Sequence, residues 1–299
     1  MFRKVLRRSL VTISILFIIF LLFIHFVAPH LIIYRPDRRS AEHHENNLPL
    51  PEMAKAMWVD GYHVQLSGTL FSPTEPAKGI VIFVHGIGSK KESFYDTANA
   101  YAKLGYHAFT FDQRAHGESE GAYITYGYYE KKDLIAIVDY LKRLYPDLDI
   151  GIWGSSLGGA VALQALAIEQ RLKFGVISST FADLGEVVHA YQRRYLKGIS
   201  LGPFTDHTLQ RAGRIASFPP KKIRPEVAAR AITQPILYIH GTTDRRIPIE
   251  QGRRIFAQLA STDKTFVPIE NAGHLDVFKV GGDRLSEQVV DWIAQRISQ

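Results

Sequence analysis

The 299-residue chain contains no cysteine. That absence excludes disulfide staples, a thiolate nucleophile, cysteine-based zinc sites and attachment to lipid through a lipoprotein cysteine. Acceptors of the Asn-x-Ser/Thr type are missing too, because Asn46, Asn47, Asn99 and Asn271 all lack a hydroxyl residue two positions on. This argues against a glycosylated secretory protein. No low-complexity tract occurs, and 46% hydrophobic with 22% charged residues predicts an ordered, globular chain.

Basic residues outnumber acidic ones, 36 to 29, for a formal charge of +7. Read alone, the excess suggests nucleic acid or an anionic surface. Its placement removes the first reading. Residues 1–39 hold seven basic side chains (Arg3, Lys4, Arg7, Arg8, Arg35, Arg38 and Arg39) against Asp37, while residues 40–299 are balanced to within one charge. Binding a phosphate backbone needs a clustered basic face on the folded part, so no nucleic-acid partner is expected.

Residues 10–28 are apolar apart from Thr12, Ser14 and His25. As a helix they measure about 28 Å, close to the roughly 30 Å hydrocarbon core of a bilayer. A cleaved signal peptide and a helix lying in the interface are the competing readings. The first has a shorter apolar region and a small-x-small site, which is absent here, and Pro29 directly follows the run. The expected organisation is a basic flank at 1–9, a transmembrane anchor at 10–28, a linker at 29–56 and one α/β domain at 57–299. More basic groups precede the span than follow it, which biases the amino terminus to the cytoplasm and the domain to the outside, the periplasm in a bacterium.

Within the domain, short apolar runs at 79–84, 107–111, 149–153, 174–178, 235–239 and 265–269 read as buried parallel strands. Helical stretches alternate with them: one introduced by a capping box of Ser89 and Glu92, then 128–145, 157–168, 248–259 and 283–297. Alternation of this kind predicts an α/β fold, a mostly parallel sheet with helices on both faces. Residues 58–71 with the Asp60-Gly61 turn read as an antiparallel hairpin at its edge. Between 182 and 232 no strand is evident. That interval holds nine basic groups against four acids, and reads as a small helical cap over the carboxyl ends of the strands, where ligands bind in such sheets.

Gly-x-Ser-x-Gly occurs twice. Gly117-Glu-Ser-Glu-Gly121 leads into no helix. Gly154-Ser155-Ser156-Leu157-Gly158 follows an apolar strand and opens a small-residue helix, the setting that a nucleophile on a sharp turn requires. Ser156 needs a base and an orienting acid, in the chain order serine, acid, histidine. His274 is the single histidine beyond the candidate acid, in Asn271-Ala-Gly-His274 just past the last strand. Asp244 is the acid that follows a buried strand through a glycine turn, in Tyr238-Ile-His-Gly-Thr-Thr-Asp244. Two backbone N–H groups must hold the developing oxyanion. Leu157, directly after the nucleophile, is one candidate and Ile87, in His85-Gly86-Ile87-Gly88, the other. His85 is expected to brace that loop.

Together the segments His85-Gly-Ile-Gly88, Phe111-Asp-Gln-Arg-Ala-His-Gly-Glu-Ser119, Gly154-Ser-Ser-Leu-Gly158, His240-Gly-Thr-Thr-Asp244 and Gly273-His274 resemble the α/β-hydrolase superfamily. They are most similar to its serine aminopeptidase and monoacylglycerol-lipase-like branch. Ala115 departs from the glycine that many relatives carry there. The resemblance implies a serine hydrolase with no cofactor and no metal, acting on a carboxylic ester or related acyl bond of a small molecule or lipid. A serine aminopeptidase or a thioesterase on the same residues, or a catalytically silent membrane-tethered binding module, are the alternatives. A peptidase must recognise a charged terminus, and no carboxylate is identified for that task. The Tyr123, Tyr126, Tyr128 and Tyr129 cluster reads as packing under the cap rather than a base-stacking platform.

Overall fold

The computed structural model describes residues 2–34 and 51–297. Eight strands form one sheet in the order β1-β2-β4-β3-β5-β6-β7-β8: Ala54–Asp60, Gln65–Phe71, Ile80–Val84, His107–Phe111, Ile150–Ser155, Leu172–Ser178, Ile236–Gly241 and Lys264–Ile269, numbered β1 to β8 along the chain. β1 and β2 form the expected edge hairpin and β2 meets β4 antiparallel, whereas β3 to β8 all run parallel. Every residue of β3 and β4 is buried, as follows for strands covered on both sides, where an unbroken apolar run replaces alternation.

Two apolar layers flank the sheet. Among the described residues ten helices follow in chain order: α1 (Phe2–Leu22), α2 (Ala28–Ile33), α3 (Tyr95–Lys103), α4 (Glu130–Leu144), α5 (Leu157–Leu166), α6 (Leu184–Tyr195), α7 (Gly202–Ile215), α8 (Pro225–Ala228), α9 (Ile249–Gln258) and α10 (Val277–Ala294). One layer contains Leu134 and Ile137 of α4, all four apolar Ala and Val side chains at 160–162 and 165 of α5, and Ile255 of α9. The other contains Ala98 and Tyr101 of α3 with Leu285, Val289 and Ile293 of α10. The four-residue spacing read at 285, 289 and 293 is thus the buried stripe of the last helix. That helix starts earlier than expected, at Val277, and bends at Gly282, which has φ of 61°.

Three further expectations need correction. No capping box forms at Ser89. Its N–H donates to Gly86 O at 3.2 Å, and the chain tightens into a 3-10 turn at Lys91–Phe94 because buried Lys91 is drawn to Asp112, with Nζ 3.0 Å from Oδ2. The amino-terminal helix does not stop at residue 28 but runs over Phe2–Ile33, long and apolar enough to cross a membrane. A π-turn at Phe23–Val27 absorbs Pro29, whose ring and missing N–H disrupt regular helical bonding to the preceding turn. Residues 29–33 therefore belong to helix rather than linker, and β1 begins at Ala54, ahead of the expected boundary at 57. The rest of the expected linker, residues 35–50, with Arg35, Arg38 and Arg39, lies outside the described residues.

Between β6 and β7 the chain forms α6, α7, α8 and two 3-10 turns, Pro220–Lys222 and Ala229–Ala231, with no strand. Residues 182–232, the segment expected as a cap, are thus helical and hold no strand.

Candidate active site

The carboxyl ends of β3, β5, β7 and β8 share one edge of the sheet, and each delivers one loop to the same place. Ser156 occupies the turn between β5 and α5 at φ 54° and ψ −118°, a conformation that costs a non-glycine residue roughly 1–3 kcal/mol and persists only where its surroundings enforce it. Here they do. The Ser156 N–H donates to Ser178 O at 2.8 Å, and Thr180 Oγ1 donates to Ser156 O at 2.6 Å. Helix and strand also approach so closely that a Cβ on Gly158 would collide with the Val84 carbonyl oxygen, and one on Gly154 with the Gly158 carbonyl oxygen. The two glycines of the motif are therefore demanded by contact as well as by the turn.

His274 reaches this serine from the loop after β8, with Nε2 2.9 Å from Ser156 Oγ. Its Nδ1 lies 2.7 Å from Asp244 Oδ2. The other carboxylate oxygen of Asp244 accepts from the N–H groups of Arg246 at 2.8 Å and Ile247 at 2.9 Å. Burial alone would raise this carboxyl. Interactions with His240 and His274 and the Ile247 N–H outweigh it, holding the group well below the usual carboxylate range. The two loops are also tied to each other, since Thr243 donates from both its N–H and its hydroxyl to Ala272 O at 2.9 Å. The structure thus brings Ser156, His274 and Asp244 into one hydrogen-bonded chain.

Leu157 is the first residue of α5, so its N–H has no acceptor within the helix. Opposite it runs the loop after β3. A Cβ on Gly86 would lie 3.3 Å from Ser156 Cβ, which places the Gly86-Ile87 backbone directly against the serine. His85 holds this loop in shape: Nδ1 contacts Gly86 O at 2.8 Å and Nε2 accepts from the Gln113 N–H at 3.0 Å. Burial lowers the His85 pKa to about 4, so the ring is neutral, with Nδ1 as donor and Nε2 as acceptor.

The family described as serine aminopeptidase, S33, matches residues 75–207, less than half of the chain. Human monoglyceride lipase is 25% identical over 275 residues, covering 80% of this chain and 89% of that protein. An uncharacterized Bacillus subtilis protein, YqkD, is 28% identical over 222 residues, covering 72% and 68%. Among solved structures, the Pyrococcus furiosus esterase Pf2001 superposes with a TM-score of 0.69 at 24% identity, over 82% of this chain and 92% of that one. The chain has the α/β-hydrolase fold. Both the motifs read from the sequence and the eight-stranded sheet agree with it.

Sequence reasoning missed several supports of this α/β-hydrolase site. His240, fully buried at the end of β7, has Nε2 2.9 Å from Ile247 O and 3.5 Å from Asp244 Oδ2. It clamps the loop that carries the acid. A lone histidine inside an otherwise apolar strand was the available signal. Gln113 donates its side-chain amide to His85 O at 2.6 Å, and no local pattern announces that contact, because its partner lies 28 residues away.

α6 of the cap carries Tyr191 near the acid loop. Burial raises the Tyr191 phenol, Arg246 opposes the shift and Asp244 adds to it, so Tyr191 stands within electrostatic reach of the acid. At its base the cap is pinned by ion pairs: Arg224 with Asp183 and Glu226, and Arg254 of α9 with Glu186 and Glu226. Among the described residues no group of three or more histidine and carboxylate side chains is placed to hold a metal ion.

Proposed function

We propose that the protein is a membrane-tethered serine hydrolase that cleaves carboxylic esters of small or lipid-like acyl compounds. The observation that carries this reading is the unbroken chain from Ser156 Oγ through His274 to Asp244 Oδ2, with steps of 2.9 and 2.7 Å, on a strained turn. Ester chemistry is further supported by the similarity to human monoglyceride lipase and to the Pyrococcus furiosus esterase.

In this mechanism Ser156 Oγ attacks the acyl carbonyl while His274 Nε2 takes its proton. The carbonyl oxygen becomes an oxyanion held by the N–H groups of Leu157 and Ile87. His274 then gives the proton to the departing alkoxide oxygen, leaving an acyl group on Ser156. Water, deprotonated by His274, attacks that acyl carbon, and return of the proton to Ser156 Oγ frees the acid. Asp244 stays anionic throughout. It fixes Nδ1–H as the donor toward itself and stabilises the transient imidazolium.

The family match favours aminopeptidase as the second reading. Such an activity needs a free carboxylate near the site for the substrate's ammonium group. Of the cap's four acids, Asp183, Glu186 and Glu226 are each engaged by arginine and Asp206 by His189, which argues for the ester.

The test is turnover of p-nitrophenyl esters of increasing acyl length beside aminoacyl amides, on the wild type and Ser156→Ala. Ester cleavage should dominate, with a fall of about 10⁶-fold in the variant. Preferred amide cleavage would replace the ester reading with the peptidase. Failure of the wild type to react with a fluorophosphonate would leave a silent binding module.

The helix over Phe2–Ile33 is read as an uncleaved anchor. Its amino-terminal flank of Arg3, Lys4, Arg7 and Arg8 keeps that end in the cytoplasm and places the domain outside.

A further inference from the structure

The anchor does not simply leave the domain at its carboxyl end. It lies along the cap. Phe20 meets Phe204 edge to face with centroids 5.2 Å apart, Ile24 O is 3.4 Å from Thr208 Oγ1, and His25 Nδ1 is 3.1 Å from His207 Nε2. Beyond them, Tyr126 Oη donates to Ile32 O at 2.6 Å and the Ile124 N–H to Ile33 O at 3.0 Å. Ile33 is fully buried. From residue 20 onward the helix is thus flanked by protein, and α7 runs in the same direction beside it.

This docking leaves too little helix for an independent span. The stretch 10–19 that precedes the first contact, apolar apart from Thr12 and Ser14, rises about 15 Å, half of the roughly 30 Å needed. The remaining half of the hydrocarbon must be crossed by residues 20–28, and there α7 and the tip of the cap lie alongside. What the tip exposes fits that location. Tyr195 is 78% exposed, Leu196 38% and Ile199 62%. Arg193, Arg194 and Lys197, also exposed, stand next to them with no acidic partner among the described residues. Apolar side chains interleaved with long cationic ones suit the boundary between acyl chains and headgroups, because the cations extend outward to phosphate while their stems stay in the apolar layer. The tip is also ordered rather than loose: Gln192 donates to Ile199 O at 2.8 Å and accepts from the Leu201 N–H at 3.1 Å.

We propose that the tip of the cap, residues 195–204, is a membrane-inserting element seated in the leaflet around the domain-side half of the anchor, so that the cap meets lipid rather than water. The proposal rests on reading the amino-terminal helix as a membrane anchor. It deepens the ester-hydrolase assignment by making the acyl chains of that leaflet the substrate pool nearest the cap.

The natural absence of cysteine makes the test direct. Three single-cysteine forms of the full chain, Ile15→Cys in the anchor, Ile199→Cys at the tip and Lys103→Cys on the far side of the sheet, are labelled with an environment-sensitive nitrobenzoxadiazole dye. Each is reconstituted in phosphatidylcholine–phosphatidylglycerol vesicles with or without nitroxide-labelled lipid. The expected result is blue-shifted emission and lipid quenching at positions 15 and 199, and neither at 103. Quenching at 15 but not at 199 overturns the proposal and leaves the anchor standing. Quenching at neither overturns the anchor reading and the proposal together. A blue shift at 199 without lipid quenching means that protein, such as a second copy, covers the tip, and this also overturns it.

Discussion

The floor of the site and the cap above it are built on opposite terms. On the floor, Ser156 is bonded to Ser178 at the end of β6, Asp244 to the Arg246 and Ile247 N–H groups and His274 to both of the other two, and the Asp244 and His274 side chains are 0% and 5% exposed. In the cap, residues 193–200 are all exposed, and the base is fixed by ion pairs in which Arg224 and Arg254 remain 47% and 42% exposed. Preorganised polar groups in a buried setting stabilise charge strongly, while exposed pairs contribute little and yield to salt. The floor is accordingly suited to chemistry that tolerates no drift, and the cap to selecting what reaches it.

If the floor is held as tightly as its geometry implies, a change of a single atom type there should cost far more than removing a whole ion pair in the cap. Asp244→Asn is the sharpest probe. Asparagine keeps an oxygen for the Arg246 and Ile247 N–H groups, so the loop retains its shape, but turns an NH₂ toward His274 Nδ1. The imidazole must then accept at Nδ1 and carry its proton at Nε2, where it cannot take one from Ser156. We expect kcat to fall by about 10⁴-fold, with retained ester binding and a lowered melting temperature, because the ionised carboxylate that stabilises the fold is lost. A fall below tenfold would show that Asp244 is not the orienting acid.

A second probe reads the floor's stability against pH. The buried His85 ring has its pKa lowered from 6.5 to about 4, so the unfolded chain binds a proton at pH values where the folded one does not. The stability supplied by the neutral ring is complete above about pH 6.5 and is lost as pH falls through about 4, a total of roughly 3 kcal/mol. Urea unfolding at pH 7 and near pH 4.5 should reveal most of this loss in the wild type. In His85→Gln the overall stability is lower, but the change across that window should flatten. An unaltered slope would mean that another group is responsible.

The contrast between the two regions also explains what was legible in the sequence. Ser156 and Asp244 were identifiable because each lies one turn beyond a buried strand, β5 or β7, and strands buried on both faces declare themselves as continuous apolar runs; His274 follows β8, which was expected to be buried but, as the sheet's last strand, has no buried residue, and it was found by chain order. Strand pairing then carries residues 118 positions apart to within 2.9 Å, a juxtaposition no local pattern contains but which chain order anticipates. His240 and Gln113 act through loops that only the assembled fold brings near. The amino-terminal helix misled for a different reason. Its apolar run ends at residue 28, and proline follows, yet packing of Ile33 against the domain and a π-turn upstream carry the helix five residues further. Within the cap, composition indicated excess positive charge but not its division: at the base Arg224 is paired with Asp183 and Glu226, whereas Arg193, Arg194 and Lys197 at the tip are exposed.

That division sets the smallest effect worth measuring. Arg254 reaches from α9 to Glu186 of α6, with Nη1 2.6 Å from Oε2, and also to Glu226. Its pairing is strong enough to hold the guanidinium above its ordinary range, but with the side chain 42% exposed water and salt screen most of the benefit. Arg254→Gln should therefore lower stability by about 1 kcal/mol or less. Its more telling effect is on the cap. With α6 no longer pinned to α9, the helix that carries Tyr191 near the acid loop gains freedom, and binding of longer acyl chains should weaken about two- to threefold, equivalent to roughly 0.5 kcal/mol. kcat for a short ester should stay unchanged, because no group on the floor contacts Arg254. Raising salt in the wild type should reproduce part of the KM shift, and salt should have little effect in the variant. If kcat falls as KM rises, the cap and the floor are mechanically one unit, and the separation between them drawn from exposure and bonding is wrong.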